Sequence, residues 1–291
     1  MKVASQPTPD ARSVAARPIS VVIRSRNSAG TLDAVIAGLG LEAGDQLIVV
    51  DHGSSDATRE IADRYGAEWI PYHGPFNFSR ALNIGFRAAR CSHVLAISSH
   101  CVPVRPGLLG RYRAVLSEFG ETFGAACGSA SDSMRVAEGL GGGATRMTAE
   151  RVLLDGGGLP GNQNALYRRL DWERHPFDER IVSSEDLEWR VWAARNGIGI
   201  VSCPDCAIHY RNRGSFRHMF RKGWNDSMVA HHLIGMRPMT VRRLGGIWWG
   251  AFRRWVAGEY DLGASLRNVA QSLGFFLGSR RRDPDVYRAW E

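Results

Sequence analysis

Five cysteines in 291 residues, an odd number at irregular spacings, are too few and too scattered for a disulfide framework, and they point to reduced thiols and the cytoplasm. No apolar run is long enough to span a bilayer. The first sixteen residues, broken by Pro7, Pro9 and charged side chains, lack the apolar stretch of a signal peptide and are expected to be a disordered tail. Internal repeats and nucleic-acid-binding motifs are also missing, so no nucleic-acid partner is expected. There is no glycine-rich loop early in the chain to hold a triphosphate, which disfavours a nucleotidyltransferase. The triplets Gly141-Gly142-Gly143 and Gly156-Gly157-Gly158 do not supply one, because they lack the strand-to-helix setting of a dinucleotide fingerprint. The segment Ser129 to Gly161 around them reads as loop-rich and mobile, a lid that would order on ligand binding.

What is present is enough apolar sequence for a full core, 44% hydrophobic residues, and an excess of 37 basic over 29 acidic side chains, a net charge of +8. That charge suits an anionic substrate, a nucleic acid or an acidic membrane surface and selects none of them. The amino-terminal half alternates strands and helices. Ile19 to Ile23 is a β-branched strand followed by Leu32, Val35, Ile36 and Leu39 at helical spacing. Gln46 to Val50, Thr58 to Tyr65 and Glu68 to Pro71 repeat the pattern. A helix over Phe78 to Ala89 leads into a strand at His93 to Ile97, and a helix over Leu108 to Phe119 into a strand at Phe123 to Cys127. Asn162 to Tyr167 and Ile198 to Val201 read as further strands, with a helix over Leu187 to Arg195 between them. This order implies an α/β fold with a mostly parallel sheet, right-handed crossovers and flanking helices. The stretch Ala96 to Pro103 delivers Ser98, Ser99 and His100 to the carboxyl edge of such a sheet, where ligands bind, and Pro103 is expected to stop the strand.

The run Ile-Val-Val-Asp51-His-Gly-Ser54-Ser55-Asp56-Ala-Thr58 resembles the Val-Asp-x-Gly-Ser-x-Asp-x-Thr signature of family 2 inverting glycosyltransferases of the GT-A fold. The resemblance continues in order through Arg80-Ala-Leu-Asn83-Ile-Gly85, through Ser98-Ser99-His100 where the family carries Asp-x-Asp, and through Asn162-Gln-Asn164-Ala-Leu-Tyr-Arg168-Arg169 to Glu185-Asp186. It covers roughly Ile19 to Arg213. It implies a Rossmann-like GT-A domain over residues 17–215, with residues 216–291 as a helical carboxy-terminal appendage. The activity it implies is inverting transfer of a sugar from a nucleotide diphosphate donor, UDP-linked in this reading, to an acceptor hydroxyl or amine. Arg24, Ser25, Asp51, Ser54, Arg80, Ser98, Ser99 and His100 are assigned to the donor, and Asn164, Arg168 and Arg169 to the acceptor side. Asp186, with Glu185 beside it, is assigned as general base.

The residue types make chemical sense on their own. A carboxylate at a strand end can accept the imide hydrogen of a pyrimidine base, worth roughly 1.5–3 kcal/mol, although Asp51 to Asp56 would look the same as a capped turn. Arg80 could answer a diphosphate or form a surface ion pair. Glu185-Asp186 at a helix start keeps carboxylates ionised and accessible, and would equally cap that helix. The missing aspartates leave the cofactor open. A divalent cation, manganese or magnesium, could be held by His100 with His209, or cationic side chains could serve without metal. The same loss motivates the alternative of a nucleotide-sugar-binding protein without transferase activity. Cys203-Pro-Asp-Cys206 reads as a surface turn in preference to a zinc or redox pair. The tail interleaves Trp248, Trp249, Phe252 and Trp255 with Arg242, Arg243, Arg253 and Arg254. That pattern fits aromatics packed back on the main domain, a nucleic-acid face or a helix in peripheral contact with the inner face of a membrane.

Overall fold

In the computed structural model the described residues are 17–155, 161–181, 183–210, 214–233 and 235–280; the amino-terminal tail and the second glycine triplet lie outside them. Elements follow in the order β1 (Ile19–Ser25), α1 (Leu32–Leu39), β2 (Gln46–Asp51), α2 (Thr58–Arg64), β3 (Glu68–Pro71), α3 (Phe78–Ala88), β4 (His93–Ser98), β5 (Cys101–Pro103), α4 (Leu108–Phe119) and β6 (Phe123–Ser131). Then come α5 (Met134–Glu138), β7 (Thr145–Met147), α6 (Ala149–Asp155), β8 (Asn164–Arg168), α7 (Arg169–Arg174), α8 (Glu185–Arg195) and β9 (Gly199–Tyr210). The carboxy-terminal part is helical: α9 (Phe216–Met228), a π-helical turn Val229–Leu233, α10 (Val241–Val256) and α11 (Leu262–Gly278).

The strands form one sheet in the order β3-β2-β1-β4-β8-β6-β9-β5, with β7 added on β9. Parallel pairing joins β3, β2, β1 and β4, and also β6 to β9, while β8, β5 and β7 run antiparallel to their neighbours. Period-two alternation splits the central strands between two cores. Val21, Ile23, Leu95 and Ile97 face α1 and α4; Val22, Val94 and Ala96 face α3 and α8, with Phe86, Tyr167, Trp172 and Trp189. Gly85 lets α3 lie directly on β1, since a Cβ there would come within 2.3 Å of Val22.

As expected, the strand does not run on through Pro103: β4 ends at Ser98, and after a two-residue turn Pro103 ends β5, which among the described residues pairs with β9 alone and so needs no amide hydrogen on its outer side. Two expectations change. Cys203 and Cys206 are not in a surface turn: both are buried inside β9, and their mutual hydrogen bond with burial pushes the Cys203 thiol up, away from a metal-binding thiolate. The glycine-rich stretch is largely built up to residue 155. There β6 runs on to Ser131, and β7 pairs Thr145 with Ser202.

Candidate active site

β1 has β2 on one side and β4 on the other, so the chain reverses its direction of travel across the sheet at β1, and the carboxyl ends of these strands are where open α/β sheets form their ligand crevice. Register brings Arg24 beside Ser98 and Ser25 beside Asp51. Two loops are knitted together there. The buried Asp51 carboxylate accepts hydrogen bonds from the Ser54 amide and hydroxyl, and Ser54 Oγ in turn accepts the Asn27 amide at 2.8 Å. Asp56 accepts from the Thr58 amide and hydroxyl and from the Ala29 amide. The Thr58 bond, with those amides, holds the exposed Asp56 carboxyl below its ordinary range. Gly53 sits in the left-handed region at φ +70° with nothing within 4 Å of a would-be Cβ, which leaves backbone open to the crevice.

A second cluster faces this edge from α8. Arg24 Nη2 donates to Ser98 Oγ and to the Asn162 carbonyl, both at 3.2 Å, and Nη1 lies 3.4 Å from Glu185 Oε1. Its guanidinium stands 5.2 Å over the Phe78 ring. Glu185 is buried and also accepts from Asn162 Nδ2. Burial and the neighbouring Asp186 raise its pKa, against the pull of Arg24 and Asn162. Asp186 has a separate partner: its Oδ2 accepts Arg190 Nη1 at 3.0 Å from one turn on. Arg190 is buried while Asp186 keeps 16% of its side chain exposed. Gly161 makes room for it, because a Cβ there would meet Asp186 Oδ2 at 2.0 Å. The start of α8 is fixed from outside: Ser184, at φ +60°, donates to Asp226 on α9 at 3.0 Å, and Lys222 pairs with the same carboxylate at 2.7 Å. Lys222, Asp226, Asn162 and Arg190 were not singled out from the sequence. Only Asn162, inside the family-like run, carried a signal.

Three residues expected on the acceptor side stand elsewhere. Arg168 and Arg169 lie at the opposite end of the sheet, because β8 is antiparallel and its carboxyl end meets His93 at the start of β4. Arg168 is bound to Asp171 and the Glu121 carbonyl, and Arg169 to the Ala89 carbonyl. Asn164 is fully buried between Tyr112 and the Cys206 carbonyl. None of the three lines the crevice. Arg80 pairs with Glu179 at 2.9 Å on the surface, the ion pair that was the simpler reading.

The set at the missing Asp-x-Asp is a poor match for a hard cation. Ser98 Oγ is taken by Arg24, and Ser99 Oγ is shared with Ser28 at 2.7 Å. His100 packs edge-on against Tyr210 at 4.9 Å, and burial followed by the Arg24 charge pulls its pKa down to about 4. His209 does not join it; its Nε2 meets the Asp132 carbonyl at 3.3 Å. Among the described residues no three His, Cys, Asp or Glu side chains converge on a metal position. One neutral imidazole does not make the oxygen-rich cage that magnesium or manganese requires.

Residues 20–115 match the family model described as Glycosyl transferase family 2. That match lies within the amino-terminal part of the chain. The enzyme class follows, a glycosyltransferase, and solved structures show the same GT-A fold. One is glucosyl-3-phosphoglycerate synthase from Mycobacterium tuberculosis in complex with Mn2+, UDP and phosphoglyceric acid, at 19% identity, TM-score 0.59, over 80% of this chain and 85% of that one. A second is the mannosyltransferase PcManGT from Pyrobaculum calidifontis in complex with GDP-Man and Mn2+, at 13% identity, TM-score 0.62, over 90% and 87%. A third is S. aureus TarS 1-349, at 15% identity, TM-score 0.56, over 82% and 72%. No curated protein matches the chain. The family segment of this glycosyltransferase spans β1 to the middle of α4, so it contains the Asp51 turn and Arg24 but not the α8 acids.

Proposed function

We propose that the protein transfers a sugar, with inversion, from a nucleotide diphosphate donor to an acceptor hydroxyl or amine. The observation that carries the reading is the meeting of the Asp51–Ser54 turn and Arg24 with the Glu185-Asp186 pair across one crevice. The Asp51 turn would take the base, uracil in preference to guanine, through the carboxylate lone pairs that Ser54 leaves free. Arg24 is the cation that the chain itself offers the diphosphate. Its present contacts, at 3.2–3.4 Å, are long beside the roughly 2.7–2.9 Å of a charge-assisted bond, so a phosphate oxygen would compete well for it. Asp186 is the general base: it is the more exposed of the two acids, and Arg190 and Gly161 fix its direction. In-line attack by the deprotonated acceptor on the anomeric carbon would expel the nucleoside diphosphate toward Arg24. Five free, buried cysteines suit a reducing compartment and a cytoplasmic setting.

Calorimetric titration with UDP-, TDP- and GDP-sugars, followed by product analysis, tests the reading. Donor binding with sugar release or transfer supports it. Binding without turnover of any donor would favour the carrier alternative, and no binding would remove the donor site.

A further inference from the structure

The aromatic residues of α10, Trp248, Trp249, Phe252 and Trp255, are exposed. α9 and α11 close on each other through glycines, since a Cβ at Gly223 or Gly274 would come within about 2 Å of the opposing backbone. α10 rests on α11 by a narrow seam: Leu244 and Ala251 are buried, Ser265 Oγ donates to the Ala251 carbonyl at 3.1 Å, and Trp248 Nε1 donates to Ser272 at 3.0 Å. The rest of α10 is open. At 3.6 residues per turn Val241, Gly245, Trp248, Phe252 and Val256 follow one another along one side, with Trp249 at its margin. Val241 is 70% exposed, Trp249 62%, Phe252 48% and Val256 66%. Trp249 and Phe252 stack at 5.6 Å, which makes the stripe continuous. Arg242 and Arg253 flank it beside Trp249, with Arg243 and Arg254 one step further round, all four exposed. The helix contains no acidic residue. The first acids after it include Asp261, which is occupied in capping α11 through the Ala264 amide.

We propose that this face of α10 is a docking surface for an anionic lipid bilayer, with the helix lying in the interface plane. An exposed apolar stripe of Trp, Phe and Val edged by arginine is the pattern that buries in the headgroup boundary while its charges meet acidic lipid. Charge complementarity selects this occupant over a second copy of the chain, whose identical face would set arginine against arginine. It also stands above a nucleic acid, for which stacked-together, unsplayed aromatics offer no base platform. Such docking would hold the crevice close to acceptors carried at a membrane surface.

The test uses the full chain and two vesicle types, pure phosphatidylcholine and phosphatidylcholine with roughly 30 mol% phosphatidylserine, in a sedimentation assay. The expected result is binding to the acidic vesicles, weakened by salt and reduced at least about tenfold in W249S/F252S. Because that variant could misfold, R242Q/R253Q is measured in parallel; it changes only exposed charge and should lower binding by a similar factor with an unaltered melting curve. No sedimentation with acidic vesicles would overturn the proposal, as would equal binding to both vesicle types. A dimer in sedimentation velocity that W249S/F252S abolishes, or binding to a single-stranded oligonucleotide in place of vesicles, would likewise assign the face to another occupant.

Discussion

Replacing Asp186 by Asn removes one negative charge from the start of α8 and leaves the shape of the side chain unchanged. Loss of a positioned general base lowers turnover by roughly a hundredfold or more, about 2.7 kcal/mol on the barrier. The stability cost is smaller than the roughly 3–5 kcal/mol expected when one partner of a buried ion pair is stripped away, because the Asn amide oxygen still accepts from Arg190 Nη1, now 3.0 Å from Asp186. Donor affinity should hardly change, since the groups assigned to the donor, Arg24 and the Asp51 turn, touch Glu185 and Ser54 and not Asp186. Initial rates and calorimetric nucleotide affinity, measured on the same preparation, separate these effects. E185Q is the companion variant, and it should damage binding first, because Glu185 accepts from both Arg24 and Asn162. Near-normal turnover in D186N with a collapse in E185Q would move the base by one residue. Unfolding of both would reduce the pair to helix capping.

Asp51→Ala should weaken binding of uridine nucleotides, whichever sugar is attached, by the roughly 1.5–3 kcal/mol of a charge-assisted bond. It should also loosen the 51–54 turn, because two Ser54 bonds end on that carboxylate; uridine, thymidine and guanosine diphosphates binding the unaltered protein equally would remove base recognition by Asp51. His100 makes stability pH-dependent: its folded pKa of about 4 lies below the unfolded 6.5, so the unfolded chain binds the proton first. Stability is therefore full above about 6.5 and falls as pH drops toward about 4, by up to roughly 3 kcal/mol; H100Q should flatten that slope, and an NMR titration placing His100 near 6.5 would contradict it. Activity should survive exhaustive chelation, given the donor set at Ser98, Ser99 and His100; loss of activity that manganese restores in the native protein but not in His100→Ala would refute this.

The parallel half of the fold was legible because its signals are local. β-branched runs such as Ile19 to Ile23 and helical spacing such as Leu32, Val35, Ile36 and Leu39 survive as β1 and α1. The antiparallel strands were harder. Nothing in the short run Asn162 to Tyr167 says which way it enters the sheet, and that direction alone decides that Arg168 and Arg169 lie far from the crevice. The Asp51 turn and the Glu185-Asp186 helix start could be located because each is a local feature of a few consecutive residues. Lys222 and Asp226 could not, since Asp226, paired with Lys222, reaches Ser184 only through packing of α9 across many intervening residues. The exposure of Trp249 and Phe252 was equally hidden, because amphipathic spacing looks alike whether the apolar side is covered or bare.

In-line displacement at the anomeric carbon can be tested with water as acceptor, without knowledge of the natural one. The protein is incubated with a panel of α-linked nucleotide sugars, and the first-formed free sugar is followed by proton NMR before mutarotation. The β anomer is expected, with its release abolished in D186N. Release of the α anomer would contradict in-line displacement.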